Sequence, residues 1–328
     1  MNVAIVGATG AVGAEFLKLL EIRESPLKSL RLLASARSAG KTLKFKGEDI
    51  VVEELTANSF KGIDVAFFSA GAIRSKEFAP HAANAGAVVI DNSSAFRMDE
   101  GIPLVVPEVN PEAAKTHQGI IANPNCSTIQ MVVALNPLHQ ATTIKRIIVS
   151  TYQAVSGAGI TGREELIGQV KAYAEGKPLV AEAFSAQIAF NAIPHIDVFQ
   201  DNGYTKEEMK MVYETQKIMS VPDLKITATC VRVPVLRAHS EAITIETELP
   251  LSPEEARSIL EHAPGCKVKD VRQDGGYPLA WDVTETYETY VGRIRRDLVF
   301  DNGLSLWVVA DQLYKGAALN AIQISELL

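Results

Sequence analysis

The sequence predicts an α/β protein of two domains: a doubly wound parallel sheet, then an α+β domain with a large mixed sheet. Three observations carry this. Short, near-continuous apolar segments alternate with helical patterns through the first 126 residues, as strands buried on both faces do. A glycine-rich turn joins the first of these strands to the first helix. Beyond it the style changes, and β-branched residues dominate KITATCVRVPVLRAHSEAITIETEL (225–249). At 328 residues the chain also exceeds what a single core usually supports.

Residues 2–6, NVAIV, read as the first strand, with GATGAVG directly after it. Val12, Phe16, Leu19 and Leu20 then recur at helical spacing. LRLLAS (30–35) is the second strand, followed by a short meander through KTLKF and IVVEEL. DVAFFSAG (64–71) reads as a buried strand ending in a loop, SKEFAPHAANAG as a helix, and AVVIDNSS (87–94) as another buried strand. ANPNCSTIQM (122–131) sets Cys126 where a turn becomes a helix. RIIVSTYQAVSGAG is a strand entering a glycine-rich loop, and long β-rich stretches follow. TKEEMKMVYETQKIM (205–219) and SPEEARSILEHA (252–263) are the helices of this part, the second opening as an N-cap should. The C-terminal segment reads as a strand and a long helix packing back on the first domain. The expected division is therefore residues 1–126 completed by 309–328, with 127–308 as the second domain.

The formal charge of −7 argues against a nucleic-acid or anionic-membrane partner, so any cations around a ligand must be local. MNVAIVGATG lacks the basic start and apolar length of a signal peptide, and no run reaches a membrane span. Three cysteines, odd in number and far apart, predict no disulfide framework and a reducing cytoplasm; no metal-ligand spacing is present.

Gly7, Gly10 and Gly13 form G-x-x-G-x-x-G at the first strand–helix turn, where a Rossmann-type domain brings backbone and helix N-terminus to a pyrophosphate. A ligand-free turn is the bland alternative, but the position favours binding. The second strand ends in ASARSAGK, where enzymes using NAD carry an acid. Ser35, Arg37 and Ser38 stand there instead, and a guanidinium with hydroxyls suits the 2′-phosphate of NADP. Cys126 at a helix start sits where the dipole favours a thiolate, hence a nucleophile rather than a packing residue. Among six histidines His239 ranks first as its base and His195 stays open. Arg232 and His239, seven apart, would face opposite sides of one straight strand, but Pro234 allows a bend that brings both into one cavity. Glu214 and Lys217 share a helix face, which taken alone reads as a solvated pair. Arg97 ends a strand of the first domain.

In their order, GATGAVG, ASARSAGK, FFSAG, DNSSAFRMD, PLVVPEVN, NPNCST, TYQAVSGAG, ETQK, RVPVLRAHSE and DQLYKGAA resemble the aspartate-semialdehyde dehydrogenases over nearly the full length. The spelling points to the bacterial branch that includes Gram-positive enzymes. The resemblance implies NADPH-dependent reduction of L-aspartyl 4-phosphate through a thioester on Cys126, with His239 as acid/base and Gln153 positioning the intermediate. It implies Arg232 for the α-carboxylate, Glu214 for the α-amino group, and Arg97, Lys217 and Asn125 for phosphate. Thr9, Gly10, Ala11, Val12, Arg37, Ser38, Ser156, Gly157 and Gln312 would contact NADP, and a homodimer would be built on the second domain. The rivals are a sister enzyme acting on another acyl phosphate or acyl-CoA, a nucleotide-binding paralogue without catalysis, and a cysteine hydrolase.

Overall fold

The computed structural model describes all 328 residues. They form two compact units, Met1–Asn125 with Ala317–Leu328, and Cys126–Gly316.

The first unit is built on β1 (Asn2–Val6), β2 (Ser29–Ala34), β3 (Thr42–Phe45), β4 (Glu48–Glu54), β5 (Val65–Phe68), β6 (Val88–Asp91) and β7 (Ile120–Ala122). Their order is β3-β4-β2-β1-β5-β6-β7, parallel throughout except for the β3–β4 hairpin. Helices α1 (Ala11–Ile22) and α2 (Ala72–Asn84) supply crossovers. The apolar spacing of α1 buries Phe16, Leu19 and Leu20, and Phe16 stacks on Phe67 of β5 with centroids 4.7 Å apart. A short C-terminal helix, Leu319–Ser325, returns to this unit: Asn320 Nδ2 donates to the Val105 carbonyl at 3.0 Å and to Asn123 Oδ1 at 2.7 Å.

The second unit carries β8 (Ile144–Gln153), β9 (Lys225–Arg232), β10 (His239–Thr247), β11 (Cys266–Val268), β12 (Thr289–Arg296) and β13 (Gly303–Ala310). The order is β11-β12-β13-β10-β8-β9, with β8–β9 and β11–β12 parallel and the other pairs antiparallel. This is the mixed sheet expected. One face is covered by α3 (Cys126–Thr142), by α5 (Lys206–Met219) and by α6 (Pro253–Glu261); α4 (Gly159–Ala174) and α7 (Ala280–Val283) lie outside this layer. Met131, Leu135 and Leu138 of α3 pack on Ile147 and Val149 of β8 and Ile243 and Ile245 of β10. Burying each such side chain stabilises by about 1.5–3 kcal/mol. Thr205 with Glu208 and Ser252 with Glu255 form capping boxes that start α5 and α6.

Two features depart from the sequence reading. Helix α4 falls beyond the glycine-rich loop, where the sequence reading placed no helix; Gly162 and Gly168 dilute its pattern. The C-terminal segment is no single long helix. Strand β13 belongs to the second sheet through Ala310, a π-helical turn follows at Tyr314–Ala318, and the return to the first unit starts at Ala317 rather than at 309.

Candidate active site

Cys126 is the first residue of α3, half-buried and free of any disulfide. The backbone of Gly316 lies directly against it: a methyl placed on Gly316 would be 2.8 Å from Cys126 Cβ. The other reactive side chains come from the adjoining ends of three strands. Gln153 closes β8 and pairs with Arg232, which closes the parallel β9. On the other side of β8, antiparallel β10 begins with His239, one position beyond the Ser240–Tyr152 pair. The sheet thus sets Arg232, Gln153 and His239 in one row.

His239 is fully buried, and the Ala154 N–H donates to its Nδ1 at 3.0 Å. That bond places the proton of the neutral imidazole on Nε2, which has no hydrogen-bond partner. Burial, then the charge of Arg232, push its pKa down to about 3, with Glu207 acting the other way. Arg232 Nη1 donates to the Ala154 carbonyl at 2.7 Å, and its guanidinium lies 5.8 Å from the Phe184 ring. Burial lowers the Arg232 pKa, while Glu207 and the Cys126 sulfur, both within electrostatic reach, raise it. Gly157 forms the floor. A methyl there would stand 2.7 Å from Arg232 Nη1 and 3.2 Å from the His239 ring.

Gln153 Nε2 donates to Ser127 Oγ at 2.9 Å and to Glu207 Oε1 at 3.3 Å. Glu207 and Ser127 therefore belong to the site, and the sequence reading missed both. An acid in the first turn of a helix reads as a response to the helix dipole. The available signal was periodic: Glu207, Lys210, Glu214 and Lys217 recur at helical spacing along α5. Lys210 bridges Glu207 at 2.9 Å and Asp197 at 2.8 Å, and these carboxylates lift its pKa to about 12 against burial. Glu214 is only 1% exposed, so the solvated-pair reading does not describe it. Lys217 is half-buried.

Gln312 Nε2 donates to Ser156 Oγ at 2.5 Å, and its Oε1 accepts from the Ala238 N–H at 2.8 Å. It clamps the 155–158 turn to the residue before His239. His195 lies outside the group, stacked on Phe199 with centroids 4.3 Å apart. Arg97 and Asn125 belong to the first unit. Arg97 is buried, donating Nε to the Asn123 carbonyl at 2.9 Å and Nη2 to the Asn92 carbonyl at 2.8 Å, and Asn125 is buried next to Cys126 in sequence.

The first unit also has the features of a dinucleotide site. Gly7 adopts φ +88°, and a methyl on it would strike the Ser69 carbonyl; one on Gly13 would strike the Gly7 carbonyl. The turn closes with Gly10 N–H donating to the Gly7 carbonyl at 3.0 Å. No side chain caps α1 and no acid occupies its first turn, which suits a bound anion. After β2, Ser38 is buried, Ser35 half-buried and Arg37 exposed, with no acid in the 35–40 turn.

Comparison with known proteins agrees with both units. Residues 2–117 match the family model described as semialdehyde dehydrogenase, NAD binding domain, and residues 135–315 match semialdehyde dehydrogenase, dimerisation domain. The chain is 60% identical over 331 aligned residues to aspartate-semialdehyde dehydrogenase of Aquifex aeolicus, covering 100% of this chain and 97% of that one. Among solved structures it is similar to aspartate semialdehyde dehydrogenase II of Vibrio cholerae complexed with ASA. That match has 51% identity and a TM-score of 0.97, covering 100% and 97% of the two chains. The aspartate semialdehyde dehydrogenase of Candida albicans with NADP matches at 26% identity and a TM-score of 0.77, covering 100% and 98%. These sources do not single out the Gram-positive branch to which the motif spelling points.

Proposed function

This chain belongs to the aspartate-semialdehyde dehydrogenase family, and from that premise we propose how its own residues carry the family reaction. The reaction is the reductive dephosphorylation of L-aspartyl 4-phosphate to L-aspartate 4-semialdehyde, on the route to lysine, methionine, threonine and diaminopimelate.

Cys126 attacks the acyl carbon as thiolate, a thioester forms and inorganic phosphate leaves. NADP, when bound in reduced form, supplies the hydride for the acyl carbon. The resulting thiohemiacetal collapses as its oxygen loses a proton and the Cys126 sulfur departs. Through these steps His239 faces the changing oxygen with its Nε2–H. Burial and Arg232 keep it neutral, so in this arrangement it serves that oxygen as an Nε2–H donor, and proton uptake requires Nδ1 to release the Ala154 N–H. Gln153, fixed by Ser127 and Glu207, orients the acyl group.

Arg232 keeps one arm on the Ala154 carbonyl and gives its remaining N–H groups to the substrate α-carboxylate. Glu214 meets the α-ammonium, while Arg97, Lys217 and Asn125 hold phosphate. The glycine turn with Thr9, Ala11 and Val12 takes the pyrophosphate, Arg37 and Ser38 the 2′-phosphate, and Ser156, Gly157 and Gln312 the nicotinamide side. The free thiols fit a cytoplasmic setting. A homodimer is supported by the exposed part of the other sheet face, where Ile148 is 44% and Tyr152 39% exposed and Tyr152 packs on Trp307 with centroids 5.4 Å apart.

The observation that carries this reading is Cys126 opening α3 within the field of Arg232, with the partnerless His239 Nε2 over Gly157. Its test is NADPH consumption with aspartyl phosphate, N-acetylglutamyl phosphate and malonyl-CoA, repeated with NADH. Turnover confined to aspartyl phosphate with NADPH is expected. Preference for another acyl donor would discard the substrate, and equal rates with NADH would discard the role of Arg37.

A further inference from the structure

Behind His239, strand β10 carries a carboxyl that the mechanism does not use. Glu241 is two residues along, so it leaves the sheet on the same side as the imidazole, and it is 0% exposed. Its neighbours across the sheet are Thr151 on β8, with Cys230 beyond it on β9, and Val308 on β13. From α3, Gln130 lies against the carboxyl, one turn beyond Cys126. Neither Glu241 oxygen makes a hydrogen bond of good geometry, and neither does Gln130 Oε1 nor Thr151 Oγ1. Buried polar atoms are nearly always paired, so four together require a proton arrangement that pairs them.

The Gln130 amide decides which. Its Nε2 lies 3.5 Å from the His239 carbonyl oxygen, a long contact of the right polarity. The second N–H of Nε2 makes no hydrogen bond to either Glu241 oxygen, and Oε1 is left without a donor. Were Glu241 ionised, acceptor would face acceptor. Turning the amide over gives Nε2 to Glu241 but sets Oε1 against the His239 carbonyl. A protonated carboxyl supplies the donor that Gln130 Oε1 lacks, and Thr151 stands across the strand pair from it.

The titratable and charged groups around this pocket are Cys230 and Arg232 on β9, His239 on β10, Cys126 on α3, and Glu207 and Glu208 on α5. Burial raises Glu241 well above the carboxylate range, and only a Gln130 N–H turned to the carboxylate would oppose it. The Cys230 thiol is likewise raised by burial first and then by Glu207, with the Thr151 hydroxyl opposing and Glu208 and Glu241 adding to the rise.

We infer that Glu241 is a positioning residue, held as a neutral carboxylic acid whose O–H donates to Gln130 Oε1 and so ties the helix opened by Cys126 to the strand end carrying His239. Its kinetic consequence rests on Cys126 and His239 being the reacting pair; its protonation does not.

The test compares Glu241→Gln, Glu241→Leu and Gln130→Leu. The amide of Glu241→Gln keeps a donor for Gln130, so this variant should retain most of kcat. Either leucine variant should lower kcat by about ten-fold or more with KM nearly unchanged, as a misaligned reacting pair does. The double leucine variant should be little worse than the poorer single one. Stability gives a separate readout. A carboxyl whose folded pKa is raised favours the fold below its unfolded pKa, and that contribution is lost as pH rises. The melting temperature of Glu241→Gln should therefore gain on the parent steadily from pH 5 to pH 8. A Glu241→Gln protein less stable than the parent at pH 8 would mean a stabilising carboxylate and overturn the inference. Parental kcat in Glu241→Leu, or equal damage in Glu241→Gln and Glu241→Leu, would also overturn it. If Cys126→Ser proved active, the reacting pair would fall while the melting comparison still judged the proton. If the leucine variants do not fold, Glu241→Gln alone carries both readouts.

Discussion

Arg232 and His239 converge on Gly157 from two strands that are not neighbours. Arg232 ends β9, His239 begins β10, and β8 lies between them. An alanine at 157 would place its methyl 2.7 Å from Arg232 Nη1 and 3.2 Å from the imidazole. Gly157→Ala should push both side chains aside and lower kcat/KM on the order of a hundred-fold, the scale of a misplacement near 1 Å. Steady-state kinetics beside a melting curve checks this; parental kinetics would mean that the two groups need not keep this spacing.

Cys126→Ser should keep the fold and lose turnover, because an alkoxide is far harder to form than a thiolate near neutral pH. Iodoacetamide should label Cys126 before Cys230, which is 0% exposed and held as thiol by burial. Peptide mass spectrometry over a time course reads the order. Earlier labelling of Cys230 would take Cys126 out of the chemistry.

Glu214→Gln should harm use of the amino-acid substrate and leave the phosphate KM of the reverse assay nearly unchanged. Lys217→Met should do the reverse. An exposed pair is worth roughly 0–1 kcal/mol, but Glu214 is 1% exposed and its loss should be felt. The assay with semialdehyde, NADP and phosphate yields both constants. Two variants that behave like the parent would leave the α-amino group without its anchor.

Arg37→Ala should weaken NADP by about 1.5–3 kcal/mol, the range for a hydrogen bond to a charged group, and NAD hardly at all. Titration with each dinucleotide decides, and an equal loss for both removes Arg37 as the discriminating residue.

Acid stability should carry the mark of His239. Its folded pKa, about 3, lies below the unfolded value near 6.5, so the unfolded chain takes the proton first. Its contribution is present above the unfolded pKa and lost as pH falls, amounting to about 1–2 kcal/mol at pH 5. Urea unfolding at pH 7.5 and pH 5 should show a smaller loss for His239→Asn than for the parent. Equal losses would place the acid sensitivity elsewhere.

What could be read beforehand was local. The strand–glycine–helix start, Cys126 at the head of α3 and the caps of α5 and α6 are each written within a few consecutive residues. The meeting of Arg232 with His239 could be suspected from Pro234, but its cause is register: the last residue of β8 separates them, and no spacing within one strand states that. Glu207 hid behind an ordinary helix-start role, and Gly316 behind a segment that reads as continuous helix. Glu241 looked like one more residue of an alternating strand, because the groups that make it unusual come from α3 and β8.

Cys126 and Gly316 are the first and last residues of the second unit, and they touch. The chain therefore leaves the first unit and re-enters it at a single spot. Asn320, which ties the C-terminal helix to Val105 and Asn123, emerges only after residues 126–316 have all been synthesised. Left unfolded, that excursion would be a long loop whose closure opposes docking of the helix. Once folded, it holds its own two ends together and the loop is already closed. Folding of the second unit thus removes the loop-closure cost of completing the first, and of the two, the unit made first is completed last.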